Sequence, residues 1–566
     1  MKRPFNSKLS PVRKISEEGM RFSNGKDVKR HVIIFALLFV SLFLFIVLII
    51  RLFQLTVVKG QYYRRLSEEN RTREITIEPK YGKIIDRKGI VLAENGESNV
   101  STRSSYIKSD RTYYYPEETA HILGYRQLAD REDISNDYCM RKLVQGEMAG
   151  KKGVEKLYDC DLRGVPGKKL VEINASGENE KTIAVVPPVP GKELQLALDI
   201  ELQKAAFKAL NNRKGAVIAL KPSTGEVLAL VSAPSFHPDA FEKGLPEVSQ
   251  YFIDKNKPLF DRATQGTYPP GSVIKPIFAS GGLEDNFITE KTIVQDDGYL
   301  TAGSLRFGNW YFLEYGKTEG PVDVVKALRR SNDTFFYKLG GAMGPEKMRQ
   351  WAQLFGLGSV VGIGLDESEG LLPSPFWKTE TLKENWYLGD TYNYSIGQGY
   401  LLVTPIQIAN ALSAFANNGY ICKPQLLKNA KPECKKVPVS QKNLALIQEG
   451  MKQACATGGT GWPLFDFKVK NVTAIAKALQ DVPEDKKASV EASLQKTADY
   501  WRPISTGCKT GTAESQANSD AWFTAYAPFE NPEIIVTVFL EEAGQGSDIA
   551  GPVAKEVLKT YFERSQ

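Results

Sequence analysis

The chain has 566 residues, of which 42% are hydrophobic and 25% charged, with a formal net charge of +7. That length exceeds one domain, and the composition is that of a folding chain rather than a disordered or collagen-like one. Residues 1–30 hold nine Lys/Arg against three Asp/Glu and the remainder is close to neutral, which argues against nucleic acid as a partner, since a phosphate binder carries its basic charge on the folded domain.

Val32 to Ile50 is a run of 19 apolar residues broken only by Ser41, long enough to cross a bilayer. Lys26, Lys29 and Arg30 precede it, so a basic cytoplasmic tail (1–30), a membrane anchor (31–54) and an exported remainder are expected. A cleaved signal peptide fits less well: the run is too long, and Arg51-Leu52-Phe53-Gln54-Leu55 offers no small-residue cleavage site.

Residues 55–190 read as a β-rich stalk. Ile75-Thr76-Ile77 suggests a strand, and Asp86 to Gly89 suggests a hairpin turn inside Lys83 to Leu92. The charged stretches Ser101 to Tyr115 and Gln127 to Asp137 read as solvated loops. Val186-Pro187-Pro188-Val189-Pro190-Gly191 reads as a stiff linker and a domain boundary.

From residue 191 the pattern changes. Asp199 caps an amphipathic helix, and Ala216–Leu220 and Glu226–Val231 flank the turn Pro222-Ser223-Thr224-Gly225. A mostly helical stretch follows to about Gln453. Strands are then expected at Lys509–Glu514, Trp522–Tyr526 and Glu533–Leu540, with a last helix near Val553 to Phe562. This order predicts an α+β domain (191–566) in which helices flank an antiparallel sheet. Val472 to Trp501 is rich in lysine, glutamate and alanine; it reads as a helical surface insertion beside the active-site cleft, serving as a lid, a docking element or a neutral decoration.

Cys139, Cys160, Cys422, Cys434, Cys455 and Cys508 permit three disulfides in an exported region. Cys139–Cys160 and Cys422–Cys434 are the local candidates, with buried free thiols the equal alternative. The three histidines are scattered, so neither a metal or other cofactor nor a histidine-based triad is expected.

The chemistry lies in three strings: Ser272-Val273-Ile274-Lys275, Ser331-Asn332-Asp333 and Lys509-Thr510-Gly511. Ser-x-x-Lys also occurs at Ser23, Ser105 and Ser493, so the spacing alone carries little. Ser272 differs in its setting, after the turn Tyr268-Pro269-Pro270-Gly271 and before an apolar helical run. A serine there meets free backbone N–H groups and the positive end of the helix dipole. Lys275 lies on the same face of the first turn, within reach of the Ser272 hydroxyl. Each string has a bland reading as a helix cap or a solvated edge lysine. In this order they point to a serine nucleophile with a lysine base.

Tyr268 to Pro276 and Lys509-Thr510-Gly511-Thr512-Ala513-Glu514 resemble the nucleophile and third motifs of the penicillin-binding proteins. Arg51 to Leu55, Gly82 to Arg87, Gly397-Gln398-Gly399 and Val403-Thr404-Pro405 resemble further landmarks of that family. The layout is similar to class B, because roughly 130 residues of stalk leave no room for a glycosyltransferase domain. Aspartate at the third position of Ser331-Asn332-Asp333 is similar to the elongation-type group. The resemblance implies a serine β-lactamase-like transpeptidase fold on a pedestal domain. It also implies attack by Ser272 on the D-Ala-D-Ala end of a peptidoglycan stem peptide, with Lys275 as base and Ser331 as proton relay. Lys509, Thr510, Gly511 and Thr512 would hold substrate, with the Ser272 and Thr512 N–H groups forming an oxyanion hole. Asp333 either binds substrate or a neighbouring donor, or tunes Lys275. An amine of a second stem peptide would accept the acyl group, β-lactams would stall the enzyme as acyl-enzyme, and a SEDS-family glycan polymerase is the implied membrane partner. A β-lactam sensor or β-lactamase, or a silent scaffold, fits less well: the cytoplasmic tail is too short for an output domain, and Ser272, Lys275 and Lys509 are intact.

Overall fold

The computed structural model describes residues 27–96, 106–107, 110–174, 179–514 and 518–564. Most of the basic tail, and residues 101–105 and 108–109 of the first charged stretch, lie outside them. The described residues fall into two compact units.

In the first unit, the apolar run forms helix α1 (Asp27–Phe53), which passes through a π turn at Gln54–Val58 into α2 (Gly60–Arg71). The large apolar side chains from Val32 to Phe53 are all exposed. The 29 residues Arg30–Val58, at ~1.5 Å rise each, exceed the ~30 Å of a hydrocarbon core. By length and composition this helix can cross a membrane. Strand residues 72–75, 169–173 and 179–185 belong to the same unit, tied by an ion pair between Arg71 and Glu172.

The second unit takes in residues 76–101 and 106–168 as well as the C-terminal part. The proline-rich segment is extended, and the chain re-enters the second unit at its first residue, Val186, after Lys169–Val185 of the first. Val189 exchanges two backbone hydrogen bonds with Val165, at 2.8 and 2.9 Å, and the Gly191 N–H donates to the Lys80 carbonyl. The two charged stretches are not simply solvated loops. Arg111–Tyr113 is a strand beside Val91–Asn95, and Arg111 is buried against Glu155 at 2.6 Å. In the second stretch Gln127 and Leu128 belong to a strand, Arg131–Asn136 is a helix with an Asp130 capping box, and the Asp137 carboxylate is buried against Arg163 at 2.7 Å. Mutual neutralisation lets these charges leave water.

The central sheet draws on both ends of the C-terminal region. Helix α3 (Ile200–Leu210), capped by Asp199, precedes strands β1 (Gly215–Leu220) and β2 (Val227–Ala233). Helices α4 (Lys275–Glu284), α5 (Val324–Arg330), α6 (Asp333–Leu354), α7 (Pro405–Ala416) and α8 (Gln441–Ala454) follow. Then come α9 (Val472–Leu479) and α10 (Glu484–Leu494). Strands β3 (Gly507–Ala513), β4 (Asp520–Ala527) and β5 (Ile534–Leu540) and helix α11 (Gly551–Glu563) close the chain. The sheet order is β2-β1-β5-β4-β3, antiparallel throughout, with β3 at an edge. Val217 and Ala219 face a core shared with α3 and α11, while Ala216, Ile218 and Leu220 face the one containing α4 and α7. Burial on both faces explains why these strands read as continuous apolar runs.

Cys139–Cys160, Cys422–Cys434 and Cys455–Cys508 are all bonded, so no thiol is free. The inserted segment is helical and largely exposed; from 472 to 501 only Ile475 and Tyr500 are buried. It is carried on the antiparallel pair Lys468–Lys470 and Trp501–Pro503, and Lys470 N–H donates to Glu563 of α11. None of residues 472–501 lines the Ser272 cleft, so its expected place beside that cleft is corrected. The strand pair that carries it meets the C-terminal end of α11.

Candidate active site

Ser272 lies in a 3-10 turn, Gly271–Ile274, that runs directly into α4. Gly271 has φ +54°, and a Cβ there would lie 2.8 Å from the Thr512 carbonyl oxygen, so glycine lets the turn press against β3. The turn is held from three sides. Tyr268 and Val403 exchange backbone hydrogen bonds, Gly271 N–H donates to the Gly397 carbonyl at 2.9 Å, and Trp522 Nε1 donates to the Pro269 carbonyl at 2.9 Å. Ser272 is half-buried and lines an open cleft, which Ser331, Asp333 and Thr510 to Thr512 also line.

Behind Ser272 lies a buried polar chain. Lys275 Nζ donates to Asp333 Oδ1 at 2.6 Å, to the Ser331 carbonyl at 2.8 Å and to Ser331 Oγ at 3.5 Å. Its hydrogen bonds therefore run to the second string rather than to the Ser272 hydroxyl. Lys509 Nζ donates to Ser331 Oγ at 2.8 Å and to the Thr510 carbonyl at 2.8 Å. Ser331 thus stands between the two lysines. Its φ of +53° is a conformation non-glycine residues rarely adopt. It ends α5, while Asn332 caps α6 by accepting from Phe335 N–H. Both oxygens of Asp333 are engaged inside the protein, the second accepting Trp310 N–H at 2.9 Å.

On β3, Thr510 Oγ1 bonds Thr460 Oγ1 at 2.8 Å and Thr512 Oγ1 accepts from Gly546 N–H. The Thr512 carbonyl accepts from Gln398 Nε2 at 3.3 Å, and Gln398 Oε1 accepts from Glu514 N–H. In a strand, one residue's N–H and C=O leave on the same side, so the Thr512 N–H also points away from β4. A Cβ on Gly511 would meet Val273 and the Pro270 carbonyl within about 3 Å, so this glycine serves contact between turn and strand.

Burial pushes the Lys275 amine below the ordinary lysine range, and contact with Asp333 pulls it partly back. Lys509 is held well below that range by burial and then by Lys275, with Asp333 opposing. Only Lys275 touches the carboxylate, so of the two it keeps its proton more readily here.

Sequence reasoning passed over Gln398 as a site residue, although Gly397-Gln398-Gly399 stood out as a landmark. It also passed over Asp296, Asn309 and Trp310, for which no local motif speaks.

The Penicillin binding protein transpeptidase domain model matches residues 215–464 and 462–559, and the Penicillin-binding Protein dimerisation domain model matches 103–196. The peptidoglycan D,D-transpeptidase MrdA of Haemophilus influenzae is 33% identical over 477 residues, covering 80% of this chain and 69% of that protein. Penicillin-binding protein 2 of Helicobacter pylori, solved in complex with MreC, is 26% identical with a TM-score of 0.70, covering 87% of this chain and 99% of its own. A chain described for structural coordination of polymerization and crosslinking by a peptidoglycan synthase complex is 28% identical with a TM-score of 0.69, covering 95% and 98%. With both domain models matched along one chain and relatives of this kind over most of its length, the protein belongs to the penicillin-binding protein transpeptidases, in the group of penicillin-binding protein 2.

Proposed function

We propose that the chain is a peptidoglycan D,D-transpeptidase, anchored by α1, that cross-links stem peptides during wall elongation. The observation that carries this reading is the continuous link from Asp333 through Lys275 and Ser331 to Lys509, directly behind a cleft-lining serine.

Ser272 Oγ attacks the carbonyl carbon of the penultimate D-alanine, and its proton passes to the neutral amine of Lys275. The N–H groups of Ser272 and Thr512 receive the developing oxyanion. The C–N bond breaks, and the terminal D-alanine leaves with a proton relayed through Ser331. An acceptor amine then attacks the ester carbonyl, forms the new amide and returns a proton to Ser272. Water in its place gives D,D-carboxypeptidation. Lys509 meets the substrate carboxylate, and Thr510 and Thr512 bond the donor peptide. That carboxylate supplies Lys509 with the countercharge it lacks here, so substrate favours the proton on Lys509 and leaves Lys275 free to act as base. β-Lactams acylate the same serine.

The basic residues before α1 favour a cytoplasmic N-terminus in the cell membrane and an exported catalytic part. A SEDS-family polymerase is the partner we propose, in keeping with a similar chain described in a peptidoglycan synthase complex that coordinates polymerization and crosslinking. We take residues 1–30 as tail, 31–54 as anchor, 55–190 as pedestal and 191–566 as the catalytic part. Fluorescent penicillin should label the full chain on the peptide holding Ser272, located by mass spectrometry. Labelling that survives Ser272→Ala would overturn the assignment.

A further inference from the structure

We infer that Asp296 is a positioning residue for the acylation step, acting through Asn309 and Asn332 on the geometry of Asp333 and Lys275. Asp296 ends the short strand Val294–Asp296 and is fully buried. Its carboxylate accepts five hydrogen bonds. Oδ1 takes Gly298 N–H at 3.0 Å and the Thr334 hydroxyl at 2.8 Å. Oδ2 takes Asn309 Nδ2 at 2.9 Å, Asn332 Nδ2 at 2.9 Å and Glu319 N–H at 3.0 Å. A buried carboxylate is costly unless its lone pairs are filled, and this one is filled by donors from five separate positions. Burial alone would raise its carboxyl, but the hydrogen bonds outweigh that and hold it below the usual range.

Two of the donors lead to the catalytic chain. Asn309, oriented by Asp296, accepts Asp333 N–H on its Oδ1 at 3.0 Å. The next residue, Trp310, sends its N–H to Asp333 Oδ2. Asp333 is therefore gripped at its backbone and its carboxylate by consecutive residues whose anchor is Asp296, and its remaining oxygen holds Lys275. The second donor, Asn332, fixes the start of α6 directly after Ser331. Ser331 occupies a left-handed conformation that persists only when its surroundings over-determine it. Asp296 touches no cleft atom and does no chemistry. It removes the freedom with which Asp333 and Ser331 could drift from the two lysines.

The inference rests on the acyl-transfer reading, and one experiment separates the two. Acylation of the full chain in detergent by a chromogenic penicillin is followed by stopped flow across pH for wild type, Asp296→Asn and Asn309→Ala. The Asn309→Ala substitution changes no charge near Lys275, Lys509, Asp333 or the Glu319–Arg330 and Glu319–Lys326 pairs, and it spares the other four bonds to Asp296. Both variants should lower the plateau acylation rate about tenfold or more, ~1.4 kcal/mol, while affinity for the non-covalent complex stays near that of wild type. Both should also move the rise of rate with pH downward by roughly one unit, because Asp333 no longer props up the Lys275 amine. A merely structural role lowers rate with melting temperature and leaves that midpoint in place. Should Asp296→Asn fail to fold, Asn309→Ala decides. Wild-type midpoints in the folded variants would overturn the inference; no acylation of wild type at Ser272 would overturn the reading beneath it.

Discussion

Replacing Asp333 by asparagine tests the most exposed assumption about this site, that Lys275 works as a neutral base despite a carboxylate at 2.6 Å. Two contributions act on Lys275: burial lowers its pKa and Asp333 raises it. The substitution removes only the second. A direct opposite charge moves a pKa by about one to three units, each ~1.4 kcal/mol, so Lys275 in Asp333→Asn sheds its proton at lower pH. Acylation rises with pH as Lys275 becomes neutral, and its midpoint should fall by that amount. The amide also has one acceptor where the carboxylate had two, so either Lys275 or Trp310 N–H loses a partner, at a cost of about 1–3 kcal/mol. The gain in neutral base and the loss in geometry oppose each other. Acylation near neutral pH should stay within about tenfold, ~1.4 kcal/mol. Cross-linking should lose more, because Trp310 lines the cleft that the second stem peptide must enter. Stopped-flow acylation against pH gives the first quantity, and fragment analysis of cross-linked product the second. A midpoint that rises or stays fixed would refute the electrostatic argument, and a larger loss of acylation than of cross-linking would refute the division of labour.

Gly271→Ala forces a left-handed conformation costing about 1–2 kcal/mol and sets a Cβ 2.8 Å from the Thr512 carbonyl oxygen; penicillin labelling should slow about tenfold or more, and an unchanged rate would show that the turn can move off β3. Cys455–Cys508 closes 53 residues of chain and abuts Lys509, so the double serine variant should lose about 4 kcal/mol by loop entropy, read as a lower melting temperature, whereas an unchanged melt would show that local packing alone carries the strand. Replacing residues 472–497 with a short Gly/Ser linker, while keeping buried Tyr500 and the Trp501–Pro503 strand, should leave acylation within about twofold, since loop length costs little closure entropy; loss of Ser272 labelling would place the segment in the core. A reporter at Gln566 should be active only in the exported compartment, and cytoplasmic activity would reverse the topology.

The fold was legible where burial and turn chemistry wrote it locally. β1, β2, β4 and β5 are mostly apolar and buried along their whole length because both faces are covered, and α3 and the Asp86–Gly89 turn bear their own caps and turn residues. The charged stretches misled, because a sequence displays charge but not its partner. Arg111 and Glu155 lie 44 positions apart, and Asp137 and Arg163 lie 26 apart, so neither pair announces itself as buried. The third disulfide was hidden for the same reason: Cys455 and Cys508 meet because α8 packs beside β3, whereas Cys422 and Cys434 face each other across one strand pair.

The candidate site divides along the same line. Residues that would touch substrate sit in three short strings, because a turn, a helix start and a strand edge each present consecutive positions to one point. What orients them is dispersed. Asn309 and Trp310 reach Asp333 from a helix start, and Asp296 holds Asn309 from a separate strand; an isolated aspartate carries no periodic or capping signal. Asp333 shows what this hides. From the sequence its charge conflicts with the neutral lysine that acyl transfer requires, and a substrate contact was one way to resolve it. The geometry resolves the conflict differently. The carboxylate is spent on Lys275 and on the Trp310 backbone, so its charge balances a buried amine that would otherwise stand alone in low dielectric. Lys509 has no such partner, and a substrate carboxylate is the charge that would complete it. The polar chain is therefore one negative charge short of pairing both lysines, and that shortfall matches the one full charge at the C-terminus of a D-Ala-D-Ala peptide.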